Sequence, residues 1–235
     1  MCTVSFVCSN NKIIITSNRD EQVLRPAIEP KNYLINNKNI FFPKDPKAGG
    51  TWFAVTENST VLGLLNGASE KHKWQPPYGK SRGLIVLDII SSESAIDFWK
   101  EINLLEIEPF TLVLYQDQKL YQLRWDGLMK ETVLLDTNKN YVWSSSTLYP
   151  KDIREKRSEW FYQFLETKPE ISEIEMFNFH RYTENENSEN GLIINRNDHL
   201  KTLSITQTVI EDNKVSLMHY DLLNHKEFAN SFIIV

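Results

Sequence analysis

Several features that assign a chain to a familiar class are missing from this sequence. No apolar run approaches the ~18 residues of a membrane-spanning helix, so no membrane span is expected. The N-terminus lacks the basic region and the small-residue cleavage site of a signal peptide. Excess positive charge is missing too, since the net charge is -5 and the pI is about 5.6. A nucleic-acid partner is therefore not expected.

Metal and cofactor motifs are also lacking. The sequence has no Walker motif and no GxGxxG motif. Its histidines show no ligand spacing; they are His72, His180, His199, His219 and His225. We therefore expect no cofactor and no built-in metal site.

Cysteine is scarce, with only Cys2 and Cys8 in the chain. On one strand these residues would stand about 20 Å apart, because each residue of a strand advances about 3.3 Å. A disulfide needs Cα atoms within about 7 Å, so the two cannot pair with each other there. The sequence thus predicts a cytoplasmic protein with reduced thiols.

The chain has 235 residues, 41% of them apolar and 24% charged, which suits one globular domain over residues 1–235. Strand-like runs come in pairs around polar turns; they cover residues 3–8, 12–16, 51–56, 60–65, 110–116, 120–125, 202–210 and 215–222. Helical patterns begin at Ser81 and cover residues 94–102, 151–166 and part of 171–182. This segregation predicts an α+β fold in which helices cover antiparallel sheets.

The first two predicted strands bring candidate catalytic residues close together. Asparagine tolerates the positive φ of a two-residue hairpin turn, so Asn10 and Asn11 predict such a turn. Cys2 then falls opposite Arg19, with Cβ atoms about 5 Å apart on one face of the sheet. A neighbouring cation lowers the pKa of a thiol and so favours the nucleophilic thiolate.

Position 2 matters for a second reason. Met1 is readily removed before a small residue, which leaves Cys2 with a free α-amine whose pKa of about 7.7 to 8.0 suits a general base. Asp20, opposite Met1 in this hairpin, could orient that amine. The alternative stays open that Cys2 is a small buried hydrophobe and that residues 19–21 form a solvated strand end.

These residues resemble a known family. The start MCTVSFV, the block Asn18-Arg19-Asp20-Glu21 and the pair Arg25-Pro26 resemble the NRDE family, which includes the transport and Golgi organisation protein 2 group. Further matching blocks follow in the family's order: residues 44–52 (KDPKAGGTW), Leu64-Leu65-Asn66, Ser81-Arg82-Gly83, Pro109-Phe110, 144–148 (SSSTL) and 202–208 (TLSITQT).

The family in turn resembles the cysteine-type N-terminal-nucleophile (Ntn) hydrolases, such as bile-salt hydrolases and penicillin acylases. The resemblance implies an αββα sandwich and acyl transfer at non-peptide C–N bonds through a thioester. It implies Cys2 as the nucleophile, flanked by Arg19 and Asp20, with Asn66 as an oxyanion-hole donor. A second asparagine is expected where this chain has Ser145, whose hydroxyl could donate instead.

The remaining site assignments are less specific. Arg196 is the candidate for the basic residue that those hydrolases carry in the C-terminal half. We expect substrate contacts from Asn18, Trp52 and Arg82. Trp52 could equally be a core aromatic. Arg82, at a helix start, could bind an anion, while Ser81 beside it could be a simple N-cap.

Two functions are consistent with these residues. One is an Ntn-type cysteine amidohydrolase or acyltransferase that acts on an acyl amide or thioester of a small molecule. The other is a non-catalytic carrier on the same fold for a hydrophobic ligand such as haem, acyl-coenzyme A or lipid, which the resemblance suggests and which the departure at Ser145 motivates. The sequence leaves association into an oligomer open.

Overall fold

A computed structural model describes residues 2–234 of the chain, without the side chain of Cys2. The predicted positions of Met1 and of the Cys2 thiol therefore lie outside the described residues. The strands are β1 (Cys2–Ser9), β2 (Lys12–Gln22), β3 (Ile28–Ile35), β4 (Lys38–Lys44), β5 (Phe53–Thr56), β6 (Val61–Asn66), β7 (Phe110–Gln116), β8 (Lys119–Trp125), β9 (Lys130–Leu135), β10 (Tyr141–Ser144), β11 (Asn195–Arg196), β12 (Leu200–Glu211), β13 (Lys214–Asp221) and β14 (Lys226–Ile233). The helices are α1 (Arg82–Ile90), α2 (Ala95–Glu101), α3 (Lys151–Glu166) and α4 (Glu173–Tyr182).

The strands form two antiparallel seven-stranded sheets in the described chain. The first has the order β10-β1-β2-β12-β13-β14, with β11 paired to β12, and the second runs in sequence order from β3 to β9. Strand β1 contacts β6 across the sandwich, α1 and α2 pack on the second sheet, and α3 and α4 pack on the first. These layers confirm the predicted αββα arrangement.

Two apolar cores hold the layers together. The side chains of Val4 and Phe6 belong to the larger core, which fills the space between the sheets and beneath α1 and α2. Val7 belongs to the smaller core, where it meets Phe161 of α3 and Met176 of α4. Neighbouring residues of β1 thus serve opposite cores, because side chains alternate across a strand.

The predicted N-terminal hairpin is confirmed. Asn10 and Asn11 have φ values of 52° and 59°, as a two-residue turn with the twist of a hairpin requires. The backbone register pairs Cys2 with Arg19. Strand β2 continues to Gln22, beyond the predicted end at residue 16, so the Asn-Arg-Asp-Glu block lies on a strand.

Local sequence signals also predicted where the helices begin. Helix α3 covers the predicted residues 151–166. Ser81 and Ser94 cap α1 and α2 with their side chains, and Ser172 forms a capping box at α4 with Glu175. Within the described part of the chain, no helix combines the length and the apolar character needed to cross a membrane.

Candidate active site

A cavity of about 400 Å³ opens between β2, the end of β6, the loop before β5 and the start of α1. Four residues predicted from the sequence line this cavity, namely Arg19, Trp52, Asn66 and Arg82. Charged and aromatic residues that were not singled out join them: Glu21, Arg25, Asp45, Tyr78, Lys80 and Glu108. The cavity therefore combines one end of the N-terminal hairpin with loops from distant parts of the sequence.

The strand pleat of β2 divides the Asn-Arg-Asp-Glu block between two faces. Arg19 and Glu21 line the cavity, whereas Asn18 and Asp20 are fully buried and bond to residues behind the strand. This division follows from the alternation of side chains along a strand. The block thus contributes to the cavity wall and to its support at the same time.

Arg19 is held in a fixed position within the cavity wall. Its guanidinium donates to the carbonyl of Arg25 at 2.8 Å and lies 3.7 Å from a carboxylate oxygen of Asp45. The guanidinium carbon stacks 4.4 Å from the centroid of the Trp52 ring. With only 3% of its surface exposed, Arg19 is a preorganised cation directly across the ladder from Cys2.

Asn66 ends β6 at the cavity, and Ser145 supports its backbone. The Ser145 hydroxyl donates to the carbonyl oxygen of Asn66 at 2.8 Å and is fully buried. A hydroxyl has one hydrogen to donate, so in this arrangement Ser145 does not offer it to a substrate. Gly67 follows with a φ of +83°, and a Cβ on it would lie 2.2 Å from the Ser146 oxygen. Glycine is therefore required directly after Asn66.

The loop before β5 packs tightly on the start of α1. A Cβ on Gly50 would lie 2.2 Å from the backbone carbon of Gly83, and the amide of Thr51 donates to the Gly83 carbonyl at 3.1 Å. On the same turn of α1, Arg82 forms an ion pair with Glu108 at 2.9 Å and donates to the carbonyl of Pro109 at 3.1 Å. The absence of a side chain at Gly50 brings the helix start into the cavity wall.

Asp20 lies in a buried network behind the cavity. Its two carboxyl oxygens accept hydrogen bonds from the hydroxyls of Tyr149 and Thr202, each at 2.7 Å. Burial, and next the Asp20 carboxylate, raise the pKa of Tyr149 well above its ordinary value, so the phenol remains a donor. The fully buried Arg157 stacks 3.5 Å from the Tyr149 ring centroid and donates to the Thr3 hydroxyl at 2.5 Å. The network thus ties Asp20 and β1 to α3.

Asn18 belongs to a second buried network on the same face. Its amide nitrogen donates to the carbonyls of His180 and Leu192, and its amide oxygen lies 2.7 Å from Nδ1 of His180. The other ring nitrogen of His180 lies 2.7 Å from the Ser5 hydroxyl. Burial lowers the pKa of His180 to about 3, and the Arg157 charge contributes. Asn18 is thus buried behind the strand and does not line the cavity, unlike the predicted substrate contacts Trp52 and Arg82.

His219 and Arg196 lie beside these networks, outside the cavity lining. His219 lies behind Trp52, with ring centroids 6.3 Å apart, and burial lowers its pKa to about 4. Arg196, the candidate basic residue, bonds to the Glu189 carbonyl and stacks 5.4 Å from the Tyr149 ring centroid, away from the cavity lining. Among the side chains that the structure describes, which begin at Thr3, no group of three His, Cys, Asp or Glu could hold a metal ion.

Sequence reasoning missed several cavity residues for identifiable reasons. Glu21, Arg25 and Asp45 lie in the family-like blocks, so the blocks themselves were the available signal. Tyr78 and Glu108 come from irregular segments and carry no local pattern. Only the fold brings these two residues to the cavity.

The two antiparallel sheets between helical layers form the N-terminal-nucleophile hydrolase fold. A crystal structure of a mutant conjugated bile acid hydrolase from Clostridium perfringens matches with a TM-score of 0.66 at 10% identity, covering 98% of this chain and 92% of that chain. The Caenorhabditis elegans ortholog of N-acylethanolamine-hydrolyzing acid amidase matches with a TM-score of 0.61 at 12% identity, covering 88% and 92%. At these identities the likeness shows the fold alone.

A comparison of the sequence with a family model identifies the family. The model of the transport and Golgi organisation 2 family matches residues 1–220, so the chain belongs to that family. The predicted family resemblance is thereby confirmed. Among curated proteins, none matches the chain.

Proposed function

We propose that residues 1–235 form one domain that acts as an N-terminal-cysteine amidohydrolase or acyltransferase on a small acyl amide. One observation carries the proposal: the ladder pairs Cys2 with Arg19, and the Arg19 side chain lines the same cavity as Asn66. A fixed cation beside a thiol favours the thiolate, and an amide donor favours the oxyanion that forms when a carbonyl is attacked.

The proposed reaction has two halves. The Cys2 thiolate attacks the acyl carbonyl and forms a C–S bond, while the amide C–N bond breaks and the amine leaves with a proton from the α-ammonium of Cys2. Water then attacks the thioester carbonyl, the C–S bond breaks, and the proton released from water returns to the α-amine. An acceptor amine or alcohol in place of water gives the acyltransferase.

In this scheme, buried residues hold the proposed catalytic groups in position. Asp20, held by Tyr149 and Thr202, is the proposed orienting group for the α-amine. Ser145 is a positioning residue, because its hydroxyl fixes the backbone at Asn66. Held polar groups of this kind cost no reorganisation during the reaction.

The cavity lining favours this reaction over a carrier for haem or lipid. Sites for apolar ligands are lined mainly by hydrophobic and aromatic side chains. Here four cationic and three anionic side chains line the cavity beside the apolar and aromatic residues Ala48, Trp52, Leu64 and Tyr78. We therefore retain the enzyme as the proposed function.

Asn66 provides the test of this proposal. In a screen of N-acyl 4-nitroanilides, the wild type is expected to release nitroaniline, and Asn66→Ala is expected to lower kcat by about 10² to 10³ because an oxyanion donor is lost. The matched control is Asn32→Ala, since Asn32 is exposed and its amide bonds only to Asn39 among the described residues. Equal rates for wild type and Asn66→Ala on a hydrolysed probe would remove Asn66 from the mechanism.

A further inference from the structure

The carboxylates in the cavity wall are already occupied. Asp45 accepts from the amides of Lys47 and Ala48 through one oxygen and pairs with Arg25 at 2.5 Å through the other. Glu21 accepts from the amide of Gln22 at 2.9 Å and from Arg25 at 3.2 Å. The acceptors that these two side chains could offer a ligand are thus largely satisfied within the protein.

Glu108 is engaged in the same way. One of its oxygens lies 3.2 Å from Nε2 of His72, and the other pairs with Arg82 at 2.9 Å. Both carboxyl oxygens of Glu108 are therefore engaged within the protein, as those of Asp45 and Glu21 are.

Side-chain donors, in contrast, remain available in the cavity wall. Nε of Arg25 and Nε1 of Trp52 are buried and have no hydrogen-bond partner within the part of the chain that the structure describes. Trp52 is only 5% exposed, so water does not readily satisfy its indole N–H. The Arg82 guanidinium carries five N–H donors, and its contacts are with the Pro109 carbonyl and the Glu108 carboxylate. Buried donors of this kind call for an acceptor from a ligand or an ordered water.

We propose that the substrate carries a carboxylate a few bonds from the scissile amide, and that Arg82 and Arg25 bind this carboxylate. A guanidinium matches a carboxylate in geometry and charge, which gives short charge-assisted hydrogen bonds. The cavity volume of about 400 Å³ suits a compact molecule of this class. The amide part of this inference rests on the proposed function, whereas the carboxylate part rests on the lining alone.

Matched probes test the inference by turnover. Glutaryl-4-nitroanilide and pentanoyl-4-nitroanilide have acyl chains of equal length and differ in the terminal carboxylate, and the pentanoyl amide of 4-aminobenzoate moves the carboxylate to the amine half. One of the two charged probes is expected to exceed the uncharged one at least tenfold in kcat/KM, which also identifies the half that carries the charge.

Arg82→Gln is expected to abolish this preference, with Arg25→Gln as the second variant should the first fail to fold. The control Arg124→Gln, on β8 and outside the cavity lining, is expected to keep it. Equal or faster turnover of the uncharged probe would overturn the inference.

Equilibrium binding separates this inference from the proposed function. In the Cys2→Ala variant, calorimetry is expected to show glutarate binding at least tenfold more tightly than pentanoate, and Arg82→Gln is expected to remove the difference. That result, together with no turnover of any probe by the wild type, would refute the hydrolase and leave the carboxylate site standing. Equal affinity for both acids, or binding of neither at millimolar concentration, would refute the carboxylate site.

Discussion

Cys2→Ala is expected to reduce the turnover of an acyl amide to the uncatalysed background, a loss of about 10⁴-fold or more. Removal of a covalent nucleophile leaves only binding and oxyanion stabilisation, and in other hydrolases such changes cost several orders of magnitude. Alanine at this position still permits removal of Met1, so the α-amine is retained and only the thiol is lost. The rate of amine release from a hydrolysed N-acyl 4-nitroanilide is the measurement.

Cys8 provides the matched control for this variant. It lies on the same strand, is half-buried and packs against the larger core, so Cys8→Ala removes the other thiol of the chain from a described, structural position. We expect kcat within about twofold of wild type, since Cys8 is absent from the cavity lining. Retained turnover in Cys2→Ala, or an equal loss in both variants, would exclude a special role for Cys2.

The second large effect concerns stability at mildly acidic pH. The folded-state pKa values of His180 and His219 are about 3 and about 4, against an ordinary value of 6.5. Burial is the main cause of both shifts. Below pH 6.5 the unfolded chain binds protons that the folded chain does not bind, so stability is complete above this pH and falls as the pH decreases toward 4.

The expected slope is about 1 kcal/mol of unfolding free energy per pH unit for each histidine between pH 6 and pH 5. Urea unfolding at several pH values measures it. His219→Gln keeps a side chain that can reach its partner, the Thr206 hydroxyl at 2.8 Å, and removes the titration. This variant should therefore lose about half of the slope in that window. A flat profile for wild type from pH 6.5 to pH 5 would contradict the neutral burial of these histidines.

The hairpin register could be predicted because a strictly local signal determined it. Once Asn10 and Asn11 adopt positive φ values, the pairing of Cys2 with Arg19 follows from counting. Helix α3 could also be predicted from the sequence, since its apolar stripe and the proline before it are local features. In both cases the tertiary structure agrees with the local preference.

Other strands lacked such signals. Strand β3 contains Pro30 and exposed lysine and asparagine side chains, and β14 is an exposed edge strand, so neither shows the apolar alternation of a half-buried strand. Strand β10 has only four residues. The polar end of β2 could be taken for a solvated strand end because residues distant in sequence bury it: His180 of α4 bonds to Asn18, and Tyr149 and Thr202 bond to Asp20.

The candidate site was predictable only in part for the same reason. Arg19, Trp52, Asn66 and Arg82 line the cavity, whereas Asn18, Asp20 and Ser145 lie behind it. The hydrogen bond from Ser145 to the Asn66 carbonyl depends on the packing of residues far apart in sequence, so no local sequence pattern predicts it. The extent of the domain and the catalytic roles remain predictions.

The most direct measurement is acyl trapping on the intact protein. The purified chain is treated with a 4-nitrophenyl acyl ester, quenched in acid to preserve a thioester, digested, and analysed by mass spectrometry. We expect that Met1 is absent and that one acyl group is carried by the N-terminal peptide at Cys2, with Cys8 unmodified. Retention of Met1, or acylation of Cys8 as fast as of Cys2, would contradict Cys2 as an activated N-terminal nucleophile.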